Sequence, residues 1–508
     1  MYKKFLSIAL LLILLIGLVG CSKDKVTSKD SIDYNSSGVY KKIFSKNEIK
    51  EVDLGTLAVG ESAIVAISPL DFDPESNSTF WGSIEVDFDF ESNSNIVSIP
   101  AENIQQSSKK ELSEKKSRHN DNLEQEQKDF SMRQIENKLL KNYSISKLSN
   151  NQLSIQSLSY QLGDEKEFKL ADTYNQQNPP TVTATVEKIS DYAYIFVDEN
   201  VSISSDKLDS FAEEFDNQIF PTDTKYFSTH DYFEGEYDID SNQKVIILMT
   251  DLGGESSNGT LMGYFAPWDV YSSSEIPASN VADMFYINSW AVNHYELEES
   301  ISTLAHEFQH LLFFIEKNFY AKRRLTDTWI NEGFSGLAEY LNGYYSYSGD
   351  GRIIDVEGDS GYFYYPQGES LLYWNDRLSD YGASNLFAYY LYERFNEGMI
   401  KDIISSSKAP IEVISDNYGD FSDIFLDWMI TNYITDDDNT SFNRYNYPFE
   451  LKYTPARAVL NQDFTSDIFS IKSTGVKYYR IDGSGVDTTL TIDLDERTGI
   501  VIYKAANN

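Results

Sequence analysis

Strand-like alternation of apolar and polar residues marks two stretches near the start of the chain. Residues 60–67 read Gly-Glu-Ser-Ala-Ile-Val-Ala-Ile, and residues 84–90 read Ile-Glu-Val-Asp-Phe-Asp-Phe. A period of two places every second side chain on the same face of a strand, as in a half-buried sheet. We therefore predict a small β-rich module over residues 40–100.

The next segment, residues 101–160, has a different composition. Residues 101–142 contain no Gly and no Pro, and Lys, Glu and Gln dominate there. Apolar residues recur only at loosely helical spacing. An exposed helix and a disordered linker both account for this segment, and the alternatives stay open.

The remainder of the chain contains both strand-like and helical spacing of apolar residues. Residues 192–197 and 245–250 are apolar runs that predict core strands, whereas residues 204–217 have helical spacing. A mostly helical pattern then covers residues 326–395. The chain is therefore predicted to have an α+β fold, with its main domain over residues 161–460.

The end of the chain alternates again. Residues 469–503 show strand-like spacing, with Gly483, Gly485 and Gly499 at the expected turns. We predict a small β-rich C-terminal unit over residues 461–508.

The first 21 residues have the features of a targeting segment. Lys3 and Lys4 precede an apolar stretch, residues 5–19, that is short for a membrane span. The stretch ends in Leu-Val-Gly-Cys, which resembles a bacterial lipobox with Cys21 as the acylated residue. This pattern predicts a lipoprotein that is anchored to a membrane of the bacterial cell envelope by its N-terminal lipid and is extracytoplasmic, at the outer membrane or cell surface. A transmembrane anchor or an ordinary secretory signal is the alternative. After the lipid-carrying Cys21, residues 22–39 are predicted to form a tether off the membrane.

The charge of the protein is strongly negative and uneven. The 508 residues carry 42 Lys and Arg against 80 Asp and Glu, a net charge of −38. Residues 1–150 contribute −3 of this charge, and residues 151–508 contribute −35. We expect no nucleic acid partner, because a phosphate backbone would be repelled. A solvated acidic surface is the favoured explanation, and attraction of cationic substrates or calcium is the other.

The most informative motif is His306-Glu307-Phe308-Gln309-His310, on a stretch whose apolar residues fit a buried helix. His306 and His310 are four residues apart, so both imidazoles project from one face and can reach one tetrahedral ion. Glu307 is displaced around the helix, where it can touch a metal-bound water. The alternative is a pair of core histidines without a metal. The single cysteine excludes a zinc site built from several thiolates.

A third ligand is offered by Trp329-Ile330-Asn331-Glu332-Gly333, which opens a second apolar helix. Glu332 follows His310 by 22 residues, enough for a loop and a returning helix. The metzincin pattern fails, because Phe313 and Glu316 occupy its glycine and histidine positions. Two histidines and one glutamate leave a fourth zinc position for water, as in catalytic sites.

Together these motifs resemble the gluzincin metallopeptidases, and the layout is most similar to the hyicolysin-type neutral metallopeptidase family. The resemblance spans about residues 165–440, and its upstream supports are residues 238–240, 245–250, 263–265 and 283–287. It implies a zincin-like domain with one catalytic Zn²⁺ and protein or peptide substrates. Glu307 is then the general base. An endopeptidase is favoured, because the Gly-x-Met-Glu-Asn element of aminopeptidase relatives is not found.

The family also suggests which residues support the ligands. Gly336 stands where thermolysin-like members carry an aspartate that orients a histidine. Glu339, on the same helical face as Glu332, could hydrogen-bond a ligand histidine instead, although a surface carboxylate is an equal alternative. Asn331 is placed with Glu339 among the supporting residues.

Gluzincins also use a Tyr or His to stabilise the oxyanion. Tyr381 is the first candidate, and Tyr373, His294 and His230 are weaker ones. Because this region is rich in tyrosine, a packing role for Tyr381 is the alternative.

Calcium has weaker support. Asp238-Ile239-Asp240-Ser241-Asn242 begins like a calcium loop but lacks the glycine and glutamate of an EF-hand, so a strand-entry turn is favoured.

Two rival functions remain open. One is a non-catalytic surface adhesin or binding lipoprotein on a peptidase fold. The other is a zymogen in which residues 22–160 cover the cleft and are trimmed before activity.

Overall fold

The computed structural model describes residues 26–30, 38–46, 48–72, 81–90, 159–170, 178–254, 260–324, 327–344, 356, 361–375, 377–434, 445, 447, 449, 451, 454–460, 466–485, 487–494 and 496–504. The predicted leader with Cys21 lies outside them, as does the 101–160 segment except for its last two residues. No helix among these residues is long and apolar enough to cross a membrane.

Sixteen strands are described, and they form three sheets. They are β1 (Val26–Asp30), β2 (Gly38–Phe44), β3 (Glu48–Thr56), β4 (Ser62–Pro69), β5 (Trp81–Phe90), β6 (Glu165–Lys169), β7 (Thr181–Ile189), β8 (Ala193–Asp198), β9 (Val245–Thr250), β10 (Gly263–Phe265), β11 (Met284–Asn288), β12 (Arg457–Leu460), β13 (Ser466–Lys472), β14 (Lys477–Asp482), β15 (Asp487–Leu494) and β16 (Thr498–Lys504).

The described α-helices lie between β8 and β12. They are α1 (Ser205–Glu214), α2 (Phe220–Phe227), α3 (Ser289–His294), α4 (Leu297–Ile315), α5 (Thr328–Leu341), α6 (Leu378–Ser405), α7 (Pro410–Asn417) and α8 (Phe421–Ile434). Helices and sheets occur together, so the predicted α+β class is confirmed.

The strands from the two ends of the chain build two five-stranded sheets. The outer sheet has the order β1-β3-β15-β5-β13, and the inner sheet has the order β12-β14-β4-β16-β2. Apolar side chains of both sheets form a shared core, which includes Val52 and Ile492 of the outer sheet and Val65 and Ile502 of the inner sheet. We call these two sheets the sandwich.

The inner sheet is covered on both faces. Along β4, Ala63, Val65 and Ile67 face the outer sheet, whereas Ile64 and Ala66 face the larger core of the protein. That larger core includes α8, which packs on β16. This double burial explains why β4 is apolar along most of its length.

Residues 159–434 form what we call the central unit, organised around a six-stranded sheet. Its order is β10-β11-β9-β8-β7-β6, with β8, β9 and β11 parallel and the flanking strands antiparallel. Every residue of β8 and β9 is buried, because these strands lie in the middle of a covered sheet. The long helix α4 packs against β10 and β11.

The structure matches several local predictions closely. The predicted 245–250 strand is β9, and the 192–197 strand is β8 displaced by one residue. The predicted 204–217 helix is α1, which continues as a π-helical turn, Phe215–Ile219. Within the 326–395 stretch lie α5 and the start of α6, a helix kinked at Asn396, whose φ is 58°.

The structure revises the predicted organisation of the chain ends. Residues 40–100 and 461–508 were predicted as separate units, but their strands alternate within the same two sheets. β12, predicted within the 161–460 domain, belongs to the inner sheet, and β1, within the predicted tether, pairs in parallel with β3. Alternation identifies a strand but carries no information about its partner, which explains the difference.

Candidate metal centre

Helix α4 brings His306 and His310 to one face. It begins with Glu298 and Glu299 in its first turn, where negative charge favours a helix N-terminus. The two imidazoles are buried, and their rings meet edge to face at a centroid distance of 4.7 Å. The spacing of four residues therefore produces the side-by-side arrangement that the sequence predicts.

Helix α5 returns antiparallel to α4 and supplies a carboxylate. Glu332 Oε2 lies 3.5 Å from His306 Nε2 and 3.5 Å from His310 Nε2. The three donor atoms lie within 4.8 Å of one another, and Glu332 is fully buried. This buried group can hold a metal ion.

The outer nitrogen of each imidazole has its own partner on α5. His306 Nδ1 lies 2.7 Å from Glu339 Oε1, and His310 Nδ1 lies 3.0 Å from Asn331 Oδ1. Because both partner atoms are acceptors, Nδ1 carries the proton in each ring, and Nε2 offers its lone pair toward Glu332. This tautomer is the one that metal-binding histidines need, so the donor set fits a metal.

The Glu339 carboxylate is itself held in place. Ser302 Oγ donates to Glu339 Oε2 at 3.1 Å, one turn before His306 on α4. Glu339 is 7% exposed and therefore belongs to the interior rather than to the surface.

Glycines on α5 allow α6 to approach the site closely. A Cβ at Gly333 would lie 2.8 Å from the Ser384 carbonyl oxygen, and a Cβ at Gly336 would overlap the Asn385 side chain. The side chain of Asn385 on α6 therefore occupies the space beside Gly336.

Glu307 is buried but retains 6% exposure. Its carboxylate makes no hydrogen bond or ion pair within the described part of the chain. It follows His306 directly on α4, so the backbone places it about 100° around the helix from that ligand.

The four predicted oxyanion candidates lie in different surroundings. Tyr381 is in the first turn of α6, where its ring packs edge-on against Trp374 at 4.8 Å. It precedes Ser384 by three residues and so shares the face of α6 that meets α5. Tyr373 is half-buried in the segment before α6.

The two histidine candidates are engaged elsewhere. His294 stacks on Trp290 at 4.2 Å and donates from Nδ1 to the Trp290 carbonyl at 2.7 Å. His230 stacks on Tyr320 at 3.6 Å, with Nδ1 3.4 Å from Glu316 beyond the C-terminal end of α4. Both histidines therefore have ring and hydrogen-bond partners outside the His306, His310 and Glu332 group.

The predicted calcium loop forms a turn beside a third aspartate. Carboxylate oxygens of Asp238, Asp240 and Asp283 lie within 4.8 Å of one another. Asp238 accepts from the backbone N–H groups of Asn242 and Gln243 at 3.0 and 3.2 Å, as in the predicted strand-entry turn. Calcium at this cluster stays a prediction.

One buried acid near the site carries no signal in the sequence. Asp223, on α2, is fully buried and accepts from Asn342 Nδ2 at 2.7 Å. Burial raises the pKa of its carboxyl well above the usual range, against a smaller lowering effect of the Asn342 hydrogen bond. Only the packing of α2 against α4 and α5 brings this residue close.

No protein-family model matches the chain, and no curated protein matches it at a significant level.

Proposed function

We propose that the protein is a zinc-dependent endopeptidase of the gluzincin type, similar to the hyicolysin-type family. One observation carries the proposal: His306, His310 and Glu332 converge in the interior, with both Nδ1 atoms tied to acceptors on α5. Two imidazoles and one carboxylate are the ligands of catalytic rather than structural zinc sites. A bound zinc would polarise the substrate carbonyl and lower the pKa of its water to about 7.

Glu307 would handle the proton in this reaction. A carboxylate beside the ligands, with no partner of its own in the described structure, can accept a proton from the attacking water and deliver it to the leaving amine. Tyr381 would donate a hydrogen bond to the oxyanion from the N-terminal turn of α6. Glu339 and Asn331 would hold the imidazoles in the required orientation and tautomer.

The buried edge strand of the central sheet passes close to the helix that carries the two histidines. β10 is the last strand in the sheet order and is antiparallel to β11. A Cβ at Gly263 would lie 2.8 Å from Thr303 Cγ2, so β10 runs beside α4 one turn before His306.

The lipobox-like leader supports an envelope location for the enzyme. Acylation of Cys21 would anchor the protein on the extracytoplasmic side, so envelope or extracellular proteins would be its substrates. Radiolabelled fatty acid should enter the wild-type protein and not Cys21→Ser.

Metal analysis combined with a peptide-cleavage assay tests the activity. Purified protein should contain about one zinc per chain, and Glu307→Gln should keep the zinc while peptide cleavage falls by about 10²–10⁴-fold. The matched control is Glu298→Gln, an exposed residue on the first turn of the same helix, which should leave cleavage unchanged.

Three outcomes would count against this assignment. A wild-type protein that binds no zinc contradicts the metal centre, and unchanged cleavage by Glu307→Gln removes that residue from the mechanism. Zinc binding without cleavage of any peptide in a proteome-derived library would favour the binding lipoprotein instead.

A further inference from the structure

In each sheet of the sandwich, one strand from the C-terminal end of the chain lies between two strands from the N-terminal end. In the outer sheet, β15 pairs with β3 on one side and with β5 on the other. In the inner sheet, β16 pairs with β2 on one side and with β4 on the other. Neither end of the chain can complete either sheet alone.

The core between the sheets is divided in the same way. Its N-terminal members are Phe44, Val52, Leu54, Leu57, Ala63, Val65, Ile67 and Ile84. Its C-terminal members are Phe469, Ile471, Tyr479, Ile481, Leu490, Ile492, Ile500 and Ile502. Separation would expose both sets to water and leave unpaired strand edges on each piece, and exposed apolar faces and open edges are both unfavourable.

The central unit is an insertion into this sandwich. β5 ends at Phe90 and β6 begins at Glu165, whereas α8 ends at Ile434 and β12 begins at Arg457. In sequence, the whole of the central unit, including His306, His310 and Glu332, therefore comes after the N-terminal strands and before the C-terminal strands of the sandwich. The strand pairs described for the two sheets involve no residue between β5 and β6.

We propose that residues 38–90 are a permanent strand-complementing partner of residues 457–504, so that a chain cut between residues 91 and 158 remains one particle. The N-terminal part is then not a removable propeptide, because cutting the connection breaks neither ladder. This inference does not depend on metal binding or on peptidase activity. With the lipid anchor proposed above, a cut chain would also remain on the membrane.

A specific protease site inserted between Lys116 and Ser117 tests the proposal in the full-length protein. After a denaturing gel shows complete cutting, size exclusion in native buffer should give both pieces in one peak at the elution volume of the uncut protein. A shift of the N-terminal piece to its own later peak would overturn the proposal.

Two chains produced together answer the same question without a protease. A tagged chain of residues 22–116 should capture an untagged chain of residues 117–508 in a one-to-one ratio. Purification of the tagged chain alone would overturn the proposal.

A strand variant connects retention to the pairing itself. Ile492 is fully buried in β15 between β3 and β5, so Ile492→Asp should lower the urea concentration at which the cut pieces separate. Thr491→Ala, on the opposite face of the same strand, should leave that concentration close to the parent value. Equal urea concentrations for Ile492→Asp and the parent would show that another contact holds the pieces, against the proposal.

Discussion

The candidate metal centre and the sandwich are assembled over very different distances along the chain. All three candidate ligands and both supporting residues lie between His306 and Glu339, on two consecutive helices. The sandwich instead joins strands separated by the whole central unit; for example, β3 pairs with β15. The candidate metal centre is therefore local in sequence, and the sandwich is not.

Because of this difference, we expect separate variants to change metal affinity and the free energy of unfolding. A change in the short α4–α5 segment should act on metal affinity first, because few residues there serve the sandwich. A change in the sandwich should act on the free energy of unfolding and leave the metal site intact. The central unit, which contains the candidate metal centre, meets the sandwich at the inner sheet and α8, where a third kind of effect is expected.

The largest expected effect is the loss of the metal from His306→Ala. Loss of one of three protein ligands should weaken zinc binding by more than the roughly 10–100-fold seen when a supporting residue is lost. Zinc content after dialysis against a weak chelator measures the effect. His294→Ala is the matched control, since His294 is exposed and stacked on Trp290. Equal zinc retention by the two variants would refute the proposed ligand.

The next largest effect should come from the sandwich core. Ile67 is fully buried between the two sheets, and Ile67→Ala should lower the free energy of unfolding by about 2–5 kcal/mol. Zinc affinity of the folded variant should equal that of the parent. Chemical denaturation followed by fluorescence gives the first quantity, and competition with a zinc dye gives the second. A large loss of affinity would show that the two regions are not energetically separable.

These local and non-local regions also differ in how well the sequence predicts them. The helical period and the 22-residue spacing from His310 to Glu332, together with the family resemblance, predicted that His306, His310 and Glu332 converge. The packing of α6 against Gly336 was not predictable, nor was the burial of Asp223, since both depend on helices distant in sequence. Alternation predicted most sandwich strands but not their partners, because any strand with a suitable apolar face satisfies the same pattern.

A smaller effect is expected where support for the ligand is altered but the ligand remains. Glu339→Gln keeps a hydrogen-bond acceptor near His306 Nδ1 but removes the negative charge. Zinc affinity should fall by about 10–100-fold, equivalent to about 1.4–2.7 kcal/mol. Asn331→Asp should not weaken binding, since it preserves the acceptor at His310 Nδ1 and adds charge. An unchanged zinc affinity for Glu339→Gln would mean that a neutral hydrogen-bond acceptor at His306 Nδ1 is sufficient.

The smallest effect should come from an ion pair that joins the central unit to the sandwich. Asp427, on α8, is buried and lies 2.8 Å from both Lys41 Nζ of β2 and Arg394 Nη1 of α6. Because Arg394 still neutralises the carboxylate and Lys41 is partly exposed, Lys41→Met should cost only about 0.5–1.5 kcal/mol. The exposed Lys46→Met serves as the control. If the central unit and the sandwich unfold together, Lys41→Met should shift one common unfolding transition. A shift confined to a separate unfolding transition of the sandwich would show that this ion pair does not couple the two.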